Sequence, residues 1–235
     1  MLAGHFATAI LAKQRAPGAH FGYYLAASQL PDLLWLTFGL LGLEPTQPDN
    51  VMNVSLDTMQ VDMTYSHDLL PMLGWIVLTV LAGRALFGSW RPGWFGGILV
   101  VVHTLTDNIA GHPHNVFGPE THAVGTGLYQ SAPYLAVAIE AVFLVGIMVW
   151  ILRNDAKAGV RRSRATYRAW AAVFVGGVAF MFSSADLTMV ELLGIEPVAA
   201  LSGSTLPMLA MTYLLMSGAL LWAMAQPTMP RNTPR

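Results

Sequence analysis

Apolar residues occur along most of this chain in runs of about 18 to 25, each long enough for a helix to cross roughly 30 Å of hydrocarbon. The runs lie near residues 20 to 43, 65 to 88, 94 to 112, 132 to 152, 167 to 190 and 205 to 225. The first dozen residues are apolar but too few to cross, and no basic segment precedes them, so they predict a half-membrane or interfacial helix rather than a cleaved signal peptide. The pattern therefore predicts an all-α, polytopic membrane helix bundle with about six transmembrane helices plus a short N-terminal half-membrane helix.

The composition agrees with this prediction and limits the chemistry. The chain of 235 residues is 54% hydrophobic and 11% charged, with a mean hydropathy of +0.52, whereas soluble domains are about 25% charged. Cysteine is absent, which excludes disulfides, thiolate metal sites and cysteine nucleophiles. Any metal must therefore be held by imidazole and carboxylate groups, and these favour zinc, manganese or iron over copper(I).

The positive charge is distributed very unevenly along the chain. All 12 lysines and arginines fall in the ends of the chain and in the connections that follow the second and fourth predicted spans. The opposite connections, 44 to 64, 112 to 131 and 191 to 204, contain none and hold much of the acid. Because basic residues collect in cytoplasmic connections, both termini are predicted to be cytoplasmic, and the histidine-rich loop is predicted to lie on the outer or periplasmic side.

His103 and Asp107 are the first candidate functional pair. They are four residues apart, so on a helix they lie on the same face, one turn from each other. This spacing suits two ligands of one metal ion, and it equally suits a hydrogen-bonded pair that only joins helices. Ionisable groups inside a membrane span are costly and indicate function by default.

Three further candidates come from distant parts of the chain. Asp32 follows Pro31, which tends to kink a helix, and could be a ligand or a buried acid bonded to backbone. His67 could be a ligand or an interfacial histidine, and His5 a ligand or a solvated one. Counted at about 1.5 Å per residue from the cytoplasmic boundary, these groups reach a common layer with His103 in the outer half of the membrane. Such convergence predicts one cation-binding pocket.

Two acids are candidates for catalysis. Glu140 lies in the middle of an apolar span and could be a ligand, a general base or an acceptor for a ligating imidazole. Asp68 points about 100° away from His67 on a helix and could cap the outer helix end or support the site. Three loop histidines are expected to be solvated, although the first of them is nearest to the site. These histidines are His112, His114 and His122.

The order of these motifs resembles the bacterial membrane-bound metal-dependent hydrolases, distant relatives of zinc-dependent phospholipase C. The motifs are His5, LPD at 30 to 32, YSH at 65 to 67 and HTLTD at 103 to 107, followed by VFGPETHAVGTGLYQS and Glu140. The resemblance covers roughly residues 1 to 152 and implies that His5, Asp32, His67, His103 and Asp107 are the metal ligands.

The chain also departs from that family's pattern. Leu34 stands where a second acid usually follows the PD motif, the histidine-rich run before the second helix is reduced to TYSHD, and the later H-x-x-x-E pair of the soluble phospholipases has no match. One or two ions are therefore expected rather than three, with zinc as the expected metal. Residues 1 to 152 are predicted to form the metal-site domain. Residues 153 to 235 are predicted to add a basic cytoplasmic connection and two further spans.

The expected function is a metal-dependent hydrolase of the bacterial cytoplasmic (inner) membrane, acting on a lipid-derived phosphodiester or ester at the outer leaflet. Glu140 or Asp68 would accept the proton from the attacking water. Two alternatives stay open: a metal or proton-coupled transporter, and a non-catalytic subunit of a membrane assembly. The expected partners are the lipid bilayer, a lipid substrate and an oligomer or larger membrane complex, with no nucleic acid.

Overall fold

Helices account for most of the architecture in the computed structural model, which describes residues 2–230. Within that part of the chain the α-helices are α1 Leu2–Arg15, α2 Phe21–Ser28, α3 Leu30–Leu40, α4 Leu69–Phe87, α5 Trp90–Ala110, α6 Leu128–Ser131, α7 Pro133–Lys157, α8 Arg164–Ser183, α9 Met189–Leu193 and α10 Thr205–Ala225. Short 3-10 turns are found at Val51–Asn53 and Ala199–Leu201. The two-residue strands form three antiparallel pairs, β1 Thr46–Gln47 with β2 Gln60–Val61, β3 His114–Asn115 with β4 Ala123–Val124, and β5 Val160–Arg161 with β6 Met229–Pro230.

Among the described residues, four helices are long and apolar enough to cross a membrane: α4, α7, α8 and α10. The chain thus has the character of a membrane protein, but the predicted count of about six spans is not confirmed. The apolar run from 20 to 43 forms two short helices, α2 and α3, of 8 and 11 residues. They separate at Gln29, and Pro31 is accommodated in the first turn of α3, which begins at Leu30, because that turn needs no N–H from it. Helix α5 has 21 residues, but its histidine, aspartate and asparagine lower its hydropathy.

Helix α1 lies at the centre of the bundle. It packs against α2, α5, α7 and α8, and Phe6, Ala7 and Ile10 have no exposed surface. A helix that is apolar all round is expected to be buried on all sides. The N-terminal segment is helical as predicted, but it is a core helix rather than an interfacial one.

Helix α5, which carries two of the candidate residues, is held by close backbone contacts with α2 and α4. A Cβ atom at Gly93 would overlap the backbone carbonyl of Val80 on α4. A Cβ atom at Gly96 would overlap the hydroxyl of Tyr23 on α2, and that hydroxyl donates a hydrogen bond to the Thr79 carbonyl at 2.8 Å. Small residues allow helices to approach this closely in membrane bundles, so α2, α4 and α5 form one tightly packed unit.

The connections divide between the two ends of the bundle. At one end the long connections contact the ends of the helices, since Leu56 N–H donates to the carbonyl of Ser184, the C-cap of α8, and Leu70 N–H in the first turn of α4 donates to the Val116 carbonyl. At the other end the guanidinium of Arg91 donates to the Arg15 carbonyl. The predicted separation of basic connections from histidine-containing loops is therefore present in the fold.

Candidate metal centre

Four ionisable side chains meet inside the bundle. Asp32 comes from the first turn of α3, His67 from the turn before α4, and His103 and Asp107 from α5. One ligand atom from each lies within 4.8 Å of all the others, and all four residues are buried. The predicted convergence of these residues is therefore seen in the structure. His67 lies just before α4 and not within it as the apolar run suggested.

His103 presents its Nε2 atom to the two carboxylates. Its Nδ1 lies 2.8 Å from the backbone carbonyl oxygen of Ser28. Because a carbonyl only accepts, Nδ1 carries the proton in the neutral ring, and the lone pair is on Nε2. Nε2 lies 3.1 Å from Asp107 Oδ2 and 3.7 Å from Asp32 Oδ1. The contact between α2 and α5 therefore orients this imidazole as a potential ligand.

His67 is oriented in a similar way by its own turn. Its Nδ1 lies 2.8 Å from Ser66 Oγ, while Nε2 lies 3.4 Å from Asp32 Oδ1 and 3.8 Å from Asp107 Oδ2. The buried carboxylate of Glu44 fixes this turn by accepting hydrogen bonds from the backbone N–H groups of residues 65 and 66, at 2.6 and 2.8 Å. Burial raises the pKa of Glu44, and these hydrogen bonds oppose the shift. In the sequence, Glu44 is one of several acids in the connection from 44 to 64, and nothing there indicates this role.

Asp32 receives support from the far end of the chain. Tyr213 on α10 donates a hydrogen bond from its hydroxyl to Asp32 Oδ2 at 2.8 Å. Tyr213 is buried and belongs to the predicted second segment, residues 153 to 235. Nothing in the apolar run that forms α10 distinguishes this tyrosine from an ordinary span residue, so sequence reasoning missed it.

His5 lies beside the four residues. Its ring centroid is 3.7 Å from that of His103, and its Nε2 lies 2.8 Å from Thr106 Oγ1 and 3.5 Å from Asp107 Oδ1. The Thr106 hydroxyl donates to backbone carbonyls, so it accepts from His5 Nε2. The other nitrogen, Nδ1, lies 3.9 Å from Asp32 Oδ2. The structure therefore brings all five predicted ligands together, with His5 at the edge of the set.

The donor atoms of this cluster fit a divalent cation. Among the described residues, His5 Nδ1, His67 Nε2 and His103 Nε2 are buried and have no hydrogen-bond partner. Buried polar atoms without partners are costly, and here three of them surround the carboxylates of Asp32 and Asp107. A cation would provide the missing interaction for all three nitrogens, and imidazole with carboxylate is a donor set that zinc, manganese and iron accept.

The two predicted catalytic acids have other contacts. Oε1 of Glu140 accepts hydrogen bonds from the backbone N–H groups of Ala3 and Gly4, at 2.6 and 3.2 Å, so this carboxylate caps the N-terminus of α1. Asp68 accepts from the N–H groups of residues 115 and 118, at 2.9 and 2.6 Å, and so holds the loop after α5. Their catalytic role stays a prediction, and their observed contacts are those of residues that position α1 and this loop.

Two of the loop histidines are not solvated as expected. His112 and His114 are buried, and burial lowers the pKa of His112 to about 4 and that of His114 to about 3. The His114 ring stacks on His67 with centroids 5.1 Å apart, and the His112 ring meets the edge of Tyr129 at 5.3 Å. His122 is exposed, as predicted. The expectation failed because the loop folds inward over the cluster.

A cavity of about 100 Å³ lies against the cluster. Its wall combines the ligand candidates Asp32, His67 and Asp107 with the two loop histidines and with apolar and aromatic side chains. The other lining residues are Trp35, Leu56, Met59, Met63, Gly111, Tyr129, Phe180, Met181, Leu209, Thr212 and Tyr213. A polar cluster in an apolar cavity is the usual composition of a small-molecule site.

Comparison with known proteins gave no relative: no family model, no curated protein and no solved structure matches the chain. The fold and the site therefore define its class by themselves. The chain is a helical membrane protein with a buried aspartate and histidine cluster that could hold a metal ion.

Proposed function

We propose that this protein is a metal-dependent hydrolase of the bacterial cytoplasmic membrane, related to the membrane-bound metal-dependent hydrolases, and that its substrate is a lipid-derived phosphodiester or ester. The observation that carries the proposal is the set of three buried, unpartnered imidazole nitrogens around two carboxylates in an apolar cavity.

The proposed ligands of the main ion are Asp32, His67, His103 and Asp107, and His5 would complete this site or hold a second ion. Zinc is the proposed metal. When bound, a divalent ion supplies a Lewis acid that lowers the pKa of water toward about 7 and polarises a carbonyl or phosphoryl oxygen.

The chain's own groups prepare the site for this chemistry. The Ser28 carbonyl, the Ser66 hydroxyl and the Thr106 hydroxyl each engage one ring nitrogen of a histidine and leave the other directed at the carboxylates. Tyr213 fixes one oxygen of Asp32. Groups held in this way need little reorganisation on binding. The apolar wall of the cavity would exclude bulk water around the reacting bond.

The charge distribution supports an orientation. The basic connections lie at one end of the bundle, and the loop that carries His112 and His114 lies toward the other. Since basic residues stay in the cytoplasm, we propose that both termini are cytoplasmic and that the cluster opens toward the outer leaflet, where it would meet lipid.

The proposal is tested on purified, zinc-loaded protein in nanodiscs of phosphatidylethanolamine and phosphatidylglycerol, with lipid products identified by mass spectrometry. We expect release of a head group or a fatty acid that a chelator abolishes and that Asp107→Asn abolishes without loss of folded protein. The control is His122→Ala, which alters an exposed loop histidine.

Two results would contradict hydrolysis. One is zinc or proton flux in proteoliposomes from a zinc-loaded protein that releases no lipid product, which is the behaviour of a transporter. The other is purification in fixed ratio with other chains together with a His67→Ala variant that assembles normally, which indicates a structural subunit.

A further inference from the structure

A groove lies between α8 and α10 on the side of the bundle. It has a volume of about 360 Å³ and is lined by Ala172, Val173, Gly176, Gly177, Phe180, Thr212, Leu215, Met216 and Ala219. Apart from the Thr212 hydroxyl, which donates to the carbonyl of residue 208 in its own helix, these side chains are apolar. Along α8 the groove extends from residue 172 to residue 180, about 12 Å of helix.

The groove is adjacent to the cavity of the candidate metal centre. Phe180 and Thr212 line both spaces, one from each helix. The residue after Thr212 is Tyr213, whose hydroxyl is bonded to Asp32. The groove and the cavity are therefore neighbours that share one residue from each of the two helices.

Small residues on α8 create the groove. A Cβ atom at Gly176 would meet nothing within 4 Å, so open space lies directly above this position. Gly177, the next residue, is buried, and its Cβ would come within 3.2 Å of Ala3 on α1 and 3.6 Å of Met216. Gly176 thus opens onto the groove, and Gly177 lines the groove where it meets α1.

The surroundings of the groove identify its occupant. Both α8 and α10 are candidate membrane spans, and neighbouring side chains such as Val175 and Leu215 are each 68% exposed and apolar. In a membrane these surfaces contact hydrocarbon. An apolar groove within such a surface, next to a cavity that contains a polar cluster, matches a molecule with a hydrocarbon chain at one end and a polar group at the other.

We infer that the groove between α8 and α10 binds one hydrocarbon chain of the lipid substrate and leads its polar head group into the cavity beside the cluster. This inference rests on the proposed function and specifies its substrate as a chain-bearing membrane lipid that enters sideways. It assigns residues 164 to 225, which the sequence motifs leave out, to substrate binding.

The test uses phosphatidylglycerol with a diazirine in one acyl chain, added to the detergent-purified full chain and activated by light. Gly176→Leu would fill the groove without displacing any protein atom within 4 Å of the new Cβ. Gly146→Leu on α7 is the matched control, because this position is also exposed within a span and open to 4 Å.

We expect cross-links in the peptides that contain residues 172 to 180 and 212 to 219. In Gly176→Leu these should fall to the level found on the lipid-facing surface of α7, while Gly146→Leu should label as the wild type does. Equal labelling of all spans in the wild type, or undiminished groove labelling in Gly176→Leu, would overturn the inference. Cross-links between α8 helices of two copies, with no lipid attached to the groove, would also overturn it and assign the surface to self-association.

A second readout separates this inference from the proposed function. The same variants are assayed with bis(p-nitrophenyl) phosphate, a water-soluble diester without a hydrocarbon chain, and their zinc content is measured. If the groove binds the chain, Gly176→Leu should keep its zinc and lose activity on phosphatidylglycerol by a much larger factor than it loses activity on this diester. Groove labelling in a protein that hydrolyses neither compound would support lipid binding in the groove and contradict the hydrolase proposal.

Discussion

Each histidine of the cluster uses one ring nitrogen for a hydrogen bond with a neighbouring group and turns the other toward Asp32 or Asp107. The partners are a backbone carbonyl for His103, a serine hydroxyl for His67 and a threonine hydroxyl for His5. The carbonyl fixes the tautomer of His103, the threonine hydroxyl fixes that of His5, and all three contacts fix the angle of the imidazole ring. The arrangement explains why donors from four separate segments can serve one ion.

A substitution of Tyr213, which is not a proposed ligand, tests whether hydrogen bonds to the ligands support metal binding. Tyr213→Phe removes the hydroxyl that donates to Asp32 and leaves the ring in place. We expect metal affinity to fall by about tenfold, the usual effect of losing a hydrogen bond to a ligand, with little change in thermal stability. Competition with a zinc chelator measures the affinity. Tyr167→Phe, at an exposed tyrosine of α8, is the control, and equal affinities of the two variants would contradict the assigned role.

Two substitutions of Glu140 distinguish a positioning role of this residue from a catalytic one. Glu140→Ala leaves two buried N–H groups of α1 without an acceptor, which costs about 1–3 kcal/mol per group, so we expect a lower melting temperature and weaker metal binding through His5. Glu140→Gln keeps an acceptor oxygen and should resemble the wild type in stability, metal binding and hydrolysis. A Glu140→Gln protein that is stable and metal-loaded but inactive would instead identify Glu140 as the general base.

The sequence predicts which residues form the cluster, but it does not predict the residues that contact them. The intramembrane cost of Asp32, His103 and Asp107 makes these residues conspicuous in apolar runs. Ser28 and Tyr213 carry no such signal, because serine and tyrosine are ordinary in membrane helices and their partners lie 75 and 181 residues away along the chain. The inward fold of His112 and His114 depends on loop contacts that composition does not reveal.

At the scale of elements, the site depends on how closely α2 and α4 approach α5. Glycine on α5 permits these contacts, and the approach of α2 brings the Ser28 carbonyl to His103. The break between α2 and α3 then turns Asp32 into the first turn of α3, where the helix dipole favours a carboxylate. Pro31 predicts a kink at this place. A full break into two helices was not predictable, since the apolar run continues on both sides.

Gly96 provides the test of this packing. A methyl group in Gly96→Ala would overlap the Tyr23 hydroxyl, and overpacking of this kind costs about 1–3 kcal/mol. We expect a lower melting temperature and weaker zinc binding, although Gly96 lies seven residues from His103. Gly74→Ala on α4, where nothing lies within 4 Å, should stabilise the protein by about 0.5–1 kcal/mol. Wild-type zinc affinity in Gly96→Ala would contradict the proposed link between helix packing and the site.

At the scale of the whole molecule, hydropathy predicts an all-helical bundle, and four of the predicted spans are confirmed as long apolar helices while two are not. Hydropathy predicts one span for the run from 20 to 43, because a mean hydropathy over the whole run does not reveal the break between α2 and α3 at Gln29. Hydropathy also predicts a span at α5, because most of this helix is apolar. His103 and Asp107, which form part of the site, reduce the hydropathy of its second half. The separation of charge between the two ends was predictable because it depends only on the order of the loops.

The proposed orientation is tested by labelling, since the chain has no cysteine of its own. Single replacements His122→Cys and Lys157→Cys place one thiol in an exposed loop and one at the exposed C-terminal end of α7, at opposite ends of the bundle. With a membrane-impermeant maleimide, we expect intact spheroplasts to label only at 122, and lysed ones to label at both positions. Labelling of 157 in intact spheroplasts would reverse the orientation.

If these imidazoles and carboxylates hold a cation, the purified protein must contain metal, and its metal content is the decisive measurement. Elemental analysis after expression with added zinc compares the wild type with His103→Ala, with Asp107→Asn as a near-isosteric variant and with His122→Ala as the control. We expect one or two zinc ions per chain in the wild type and the control, and a loss of zinc in the two cluster variants while they stay folded. A folded wild-type protein without divalent metal, or equal zinc in all four proteins, would contradict this expectation.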